Sequence, residues 1–156
     1  MADMQAAKRA YATVIAMMDS ENLKYSRDDA NLRIELGFNT DDLDIQMKFF
    51  VDTERDLVRI LSFLPFKFPE DKRVEGAVAT CVANHGMVNG SFDYDFSDGE
   101  LLFKCVDSYR GGAFTQETAK YMMNVALGMV DKYNDRFFAL AKGMMTLSDF
   151  VEKENS

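Results

Sequence analysis

Three runs decide the fold: Leu32-Arg-Ile-Glu-Leu-Gly-Phe38, Ile45-Gln-Met-Lys-Phe-Phe-Val51 and Leu57-Val-Arg-Ile-Leu-Ser-Phe-Leu64. In the first two, apolar residues alternate with Arg33, Glu35 and Gly37 and then with Gln46 and Lys48. A period of two puts successive side chains on opposite faces of a strand, so each of these runs has one face buried and one face wet. The third run is apolar on both faces except at Arg59 and Ser62, which places it inside the sheet. The polar stretches Asn39-Thr-Asp-Asp42 and Asp52-Thr-Glu-Arg-Asp56 turn the chain between them. Connections this short allow only antiparallel neighbours, because a parallel pair needs a crossover of roughly a dozen residues.

Outward from this core the period changes. Ala7, Ala10, Tyr11, Val14, Ile15 and Met18 recur at three- and four-residue steps, which predicts an amphipathic helix over 4–19. On the other side, Pro65 and Pro69 are expected to stop the third strand and open a second helix, with Glu70 and Asp71 near its positive end. Its buried stripe is expected to be Val74, Ala77, Val78, Cys81 and Val82, and His85-Gly86 to end it. Val88 to Phe96 and Glu100 to Asp107 read as a strand pair around the hairpin signal Ser97-Asp-Gly99. Gly111-Gly112 is a loop, and Thr115 is placed to cap a long helix running to about residue 142. Ser148 to Glu152 adds a short terminal turn. The reading is one α+β domain over 1–156. It has a five-stranded, mainly antiparallel sheet packed with three helices in the order α-β-β-β-α-β-β-α.

Charge and composition narrow the function. Eighteen Lys and Arg against twenty-six Asp and Glu give a net charge of −8, which argues against nucleic acid or an anionic membrane as the partner. No apolar run approaches the length of a membrane span, and no basic stretch leads into a signal-like apolar segment, so a soluble cytoplasmic protein is expected. His85 is the only histidine, which removes a His-pair metal site, and no metal or cofactor is expected. Cys81 and His85 lie four apart on the second helix and would mimic a thiol–imidazole dyad. A cysteine on a buried stripe does not reach substrate, so both cysteines, Cys81 and Cys105, read as packing residues. Asp93, Asp95 and Asp98 sit on a hairpin without the glycine and glutamate spacing of a calcium loop. No catalytic residues are assigned.

The methionines carry more. Eleven occur in 156 residues, several of them on or after the last helix. Helical Met spacing reads first as core. Val125 and Leu127, however, widen the apolar arc of that helix beyond one stripe, and Met is favoured on surfaces that accept varied apolar partners. Met122, Met129, Phe137 and Met144 are therefore the expected interface residues. The expected function is a non-enzymatic protein-interaction domain, a chaperone-like or regulatory adaptor, acting as a homodimer on a protein client or regulatory partner. The rival is a small-molecule sensor or enzyme with a pocket between helix and sheet, its polar groups drawn from Arg59, Tyr94, Tyr109 and Arg110.

Four stretches, Leu64-Pro-Phe-Lys-Phe-Pro-Glu-Asp-Lys-Arg73, Ala83-Asn-His-Gly86, Gly90-Ser-Phe-Asp-Tyr-Asp95 and Asp98-Gly-Glu100, resemble the bacterial YbjN-like family of sensory-transduction regulators. The resemblance runs from about Ile45 to Leu140. It implies the fold of type III secretion chaperones, which are small, acidic, homodimeric, non-enzymatic and cytoplasmic and hold clients through apolar patches. It brings no catalytic residues.

Overall fold

The computed structural model describes residues 3–40 and 43–156. Helix α1 (Met4–Ser20) is followed by strands β1 (Ser26–Asp28), β2 (Arg33–Asn39), β3 (Asp44–Asp52) and β4 (Leu57–Lys67). After these come α2 (Arg73–Asn84), β5 (Ser91–Asp95), β6 (Glu100–Ser108), α3 (Gln116–Ala141) and α4 (Leu147–Asn155). The six strands form one sheet in the order β1-β2-β3-β4-β6-β5, with every neighbouring pair antiparallel. The α+β class, the antiparallel pairing and the central place of Leu57–Leu64 agree with the sequence reading.

The counts do not agree. Among the described residues the sheet has six strands rather than five, because Ser26, Arg27 and Asp28 pair with Glu35, Ile34 and Arg33 along the edge of β2. All three of its residues are exposed, so there was no alternation to read. Among the described residues there are four α-helices rather than three. The terminal segment is a full helix started by a capping box, in which Thr146 and Asp149 each take the other's backbone N–H. Phe150 then anchors it, fully buried, with its ring 5.2 Å from that of Phe137.

Pro65 does not stop β4 either. The register shifts between Phe63 and Lys67, and the exposed proline sits within that irregularity, where a missing N–H costs no ladder bond. The strand predicted over Val88–Phe96 contracts to Ser91–Asp95, leaving Val88 and Phe96 exposed at its ends. Of the expected turn Asn39–Asp42, Asp41 and Asp42 lie outside the described residues.

The helices lie on one face of the sheet. Ile34, Leu36, Ile45, Met47, Phe49, Val58, Ile60, Leu101 and Phe103 project from the strands into a common core with Val14, Met18, Met122, Val130 and Phe137 from the helices. An aromatic chain Phe103–Phe92–Phe137–Phe150 runs through it, with centroids 5.1–5.2 Å apart.

Candidate functional site: two uncovered apolar surfaces

The first surface is the outer side of α2. Most of the side expected to be buried is turned to solvent: Val74 is 66% and Val78 41% exposed, and Cys81 is exposed as well, while Ala77 is half-buried and Val82 packs partly against the core. The face that packs inward is instead the small-residue stripe Gly76, Ala79, Thr80 and Ala83. Three contacts fix this rotation. Tyr94 on β5 donates its hydroxyl to the Arg73 carbonyl at 2.8 Å, at the start of the helix. At the other end, the Asn84 amide donates to the Phe92 carbonyl at 2.9 Å and accepts the Phe92 N–H at 2.7 Å. Between them, a Cβ on Gly76 would lie 2.8 Å from the Phe68 ring and 2.7 Å from the Tyr94 hydroxyl. Only a helix with no side chain there can sit so close. Both faces of α2 are apolar at helical spacing, and the smaller one wins the core because it allows closer approach to β5 and Phe68. The packing role expected for Cys81 is thereby corrected, while Cys105 is buried and burial pushes its thiol pKa up.

The second surface is the sheet face opposite the helices. On β3, β4 and β6 the outward positions bring together Phe50, Leu61, Phe63, Leu102 and Val106, set among Lys48, Arg59 and Lys104. Cross-strand pairing puts Lys48, Leu61 and Lys104 in one row, Phe50, Arg59 and Val106 in another, and Gln46, Phe63 and Leu102 in a third. Phe50, Leu61, Phe63 and Leu102 are only half-buried, and Val106 is exposed. The cations lie over this apolar floor: the Arg59 guanidinium is 4.8 Å from the Phe50 ring centroid, and the Lys48 ammonium is 5.7 Å from that of Phe63. Their acidic partners stand towards the margins. Lys48 reaches Glu35 on β2 at 3.4 Å, and Lys104 reaches Asp93 on β5 at 3.3 Å. Arg59 is 3.7 Å from Asp52 at the end of β3. Burial of Asp52 pushes its carboxyl pKa up, but the Arg55 side chain and backbone N–H outweigh that and leave it below the usual range.

The four interface residues expected from sequence are not gathered on either surface. Met122 and Phe137 are in the core, Met129 is half-buried, and Met144, 69% exposed, lies beyond the end of α3. The wide apolar arc of α3 is covered within the chain, because α1, α2 and α4 all pack against it above β4 and β6. The rival's polar groups are also dispersed. Tyr109 and Arg110 share a groove of about 650 Å³, where both meet Asp56 at 3.3 and 2.8 Å. Arg59 is on the open sheet face, and Tyr94 is packed edge-on against Phe68. Among the described residues no group of three or more His, Cys, Asp or Glu is placed to hold a metal ion, and no helix is long and apolar enough to cross a membrane.

Comparison with known proteins places this architecture. A chain in the structure of the HopA1–SchA chaperone–effector complex is similar over 86% of this chain and 99% of its own, with a TM-score of 0.55 and 14% identity. A chain of the ExsC–ExsE complex is similar over 83% of this chain and 93% of its own, with a TM-score of 0.53 and 8% identity. At such identities the likeness is one of fold, and it supports the secretion-chaperone-like fold expected from the sequence. No family model and no curated protein matches the sequence, so the YbjN-like likeness stays at the level of motifs.

Proposed function

We propose that this protein is a non-enzymatic protein-interaction domain, a chaperone-like or regulatory adaptor that binds an apolar segment of a partner protein. One observation carries the proposal: the three central strands present Phe50, Leu61, Phe63, Leu102 and Val106 on a face that no helix of the described chain covers. An apolar patch left in contact with water costs free energy that a partner polypeptide recovers by covering it. The fold neighbours support this reading, since one comes from a chaperone–effector complex and the other from a two-protein complex. The YbjN-like motifs fit a regulatory role, and the cytoplasm is the compartment proposed.

The outer stripe of α2 supports a homodimer. Val74, Val78 and Cys81 follow one another at steps of four and three, the spacing of a helix seam, and two copies of α2 would cover each other's valines. Light scattering at high micromolar concentration is expected to give twice the chain mass of 17.7 kDa, and a Val78→Asp variant to return to the single-chain mass. A strict monomer at that concentration contradicts the dimer.

The client reading is tested by affinity capture from the source organism's lysate. A partner retained by the wild type and by Val78→Asp but lost with Leu61→Asp supports binding on the sheet face. Retention by Leu61→Asp contradicts it. The groove around Asp56, Tyr109 and Arg110 favours a small-molecule sensor as the second reading. A metabolite that raises the melting temperature, and fails to do so with Arg110→Ala, would establish it.

A further inference from the structure

We infer that the open sheet face selects an acidic amphipathic segment, one that carries carboxylates among its apolar side chains. This rests on the reading of that face as the partner's seat and adds the partner's chemistry.

The argument is from charge placement. The chain carries a net charge of −8, yet the three central rows of outward positions, Gln46 to Phe50, Arg59 to Phe63 and Leu102 to Val106, hold Lys48, Arg59 and Lys104 and no carboxylate; Asp52 stands in the next row, beside Leu57. The cations are central; the acids that reach the two lysines, Glu35 and Asp93, stand on the flanking strands β2 and β5, and Asp52, which reaches Arg59, stands at the end of β3. Those two pairs are long, at 3.4 and 3.3 Å, and both acids are about half exposed, so each holds its lysine weakly. Strands are spaced roughly 4.8 Å apart, so a carboxylate above Leu61 lies within about one Debye length of both lysines. A partner that covers Phe63 and Leu102 lowers the local dielectric around these cations and strengthens their attraction for its own carboxylates. An uncharged apolar segment would instead desolvate Lys48 and Lys104 against only their weak, half-exposed partners, and a basic one would add repulsion.

The same layout disfavours a membrane. A flat anionic bilayer large enough to touch the central cations also meets the surrounding carboxylates Glu35, Asp44, Asp93 and Asp95, all exposed, whereas a single polypeptide segment reaches the centre alone.

The test uses the full chain and three labelled amphipathic peptides of one apolar pattern, with leucine as the apolar residue and glutamate, glutamine or lysine as the polar one. Fluorescence anisotropy is expected to show the glutamate peptide binding about tenfold more tightly than the glutamine peptide, with the lysine peptide weakest. The preference is expected to disappear in the Lys48→Gln/Lys104→Gln variant. Binding of every peptide is expected to fall in Leu61→Asp and in Val106→Asp, the latter at an already exposed position that leaves folding intact. Equal binding of the glutamate and glutamine peptides, with both still sensitive to Val106→Asp, overturns the charge selection and leaves the apolar seat standing. Binding insensitive to both Leu61→Asp and Val106→Asp overturns the seat itself. Vesicles of phosphatidylserine and phosphatidylcholine that bind the protein through Lys48 and Lys104 while the glutamate peptide does not would also overturn the inference.

Discussion

Asn84, the last residue of α2, takes both backbone hydrogen-bonding groups of Phe92 on β5, donating at 2.9 Å and accepting at 2.7 Å. The side chain acts as a short piece of strand laid along the sheet edge, and it fixes where the helix ends. Replacing Asn84 with alanine leaves the part-buried N–H and carbonyl of Phe92 without these partners. The expected loss is about 2 kcal/mol of unfolding free energy, read from urea melts of the two proteins. A loss below a few tenths would mean the clamp does not position α2.

Gly76 is the middle contact of the same helix. Alanine is favoured over glycine inside a helix by about 1 kcal/mol. Here its methyl would meet Phe68 and Tyr94 inside 3 Å, and forcing extra carbon into a packed core costs about 1–3 kcal/mol. Gly76→Ala is therefore expected to lower the melting temperature, against the direction of helix propensity. A rise would show that α2 can move outward freely.

These contacts explain which parts of the molecule could be read in advance. The strands of residues 32–64 are legible because one covered face imposes a period of two, and the helix cap at Thr115 because a side-chain oxygen must meet an orphan N–H. The rotation of α2 is not, since valines on one side and small residues on the other give the same period. The deciding signal was the glycine at position 76, whose meaning depends on a phenylalanine eight residues earlier and a tyrosine on another strand. The two-sided apolar pattern of Leu57–Leu64 places β4 at the sheet centre, and the same pattern is the sequence signal of the uncovered face. Met122 and Phe137 lie in the core rather than on a surface, because the breadth of the apolar arc on α3 cannot tell a second subunit from the chain's own α1, α2 and α4.

The thiols give a direct reading of the α2 rotation. In dilute native protein one cysteine, Cys81, is expected to react quickly with a disulfide-exchange reagent, and Cys105 to react only on unfolding. If the helices pair through this stripe, the Cys81 rate falls as protein concentration rises. Two slow thiols in dilute protein would contradict the exposed stripe.

Alkaline pH should act through the buried tyrosines. Burial, with a hydrogen bond to Glu154, pushes the Tyr133 hydroxyl up to about 12, and burial with a bond to Asp29 does the same for Tyr11. A folded-state pKa above the unfolded value of about 10 means that the unfolded chain releases its protons first. The stabilisation is thus present in full below about pH 10 and drains away as pH rises towards 12. Melting temperatures across that window are expected to fall, and to fall less steeply in Tyr133→Phe. An identical slope in the variant would contradict the assignment.

The central claim is that the uncovered face of β3, β4 and β6 is where another polypeptide lies. Its most direct test is photo-crosslinking in the source cells, with a benzophenone amino acid placed at position 61 or 102, and at exposed position 117 on α3 as the reference. The account predicts a discrete adduct to a second protein from positions 61 and 102 that is absent from position 117. Adducts of equal yield from all three positions, or none from the sheet face, would contradict it.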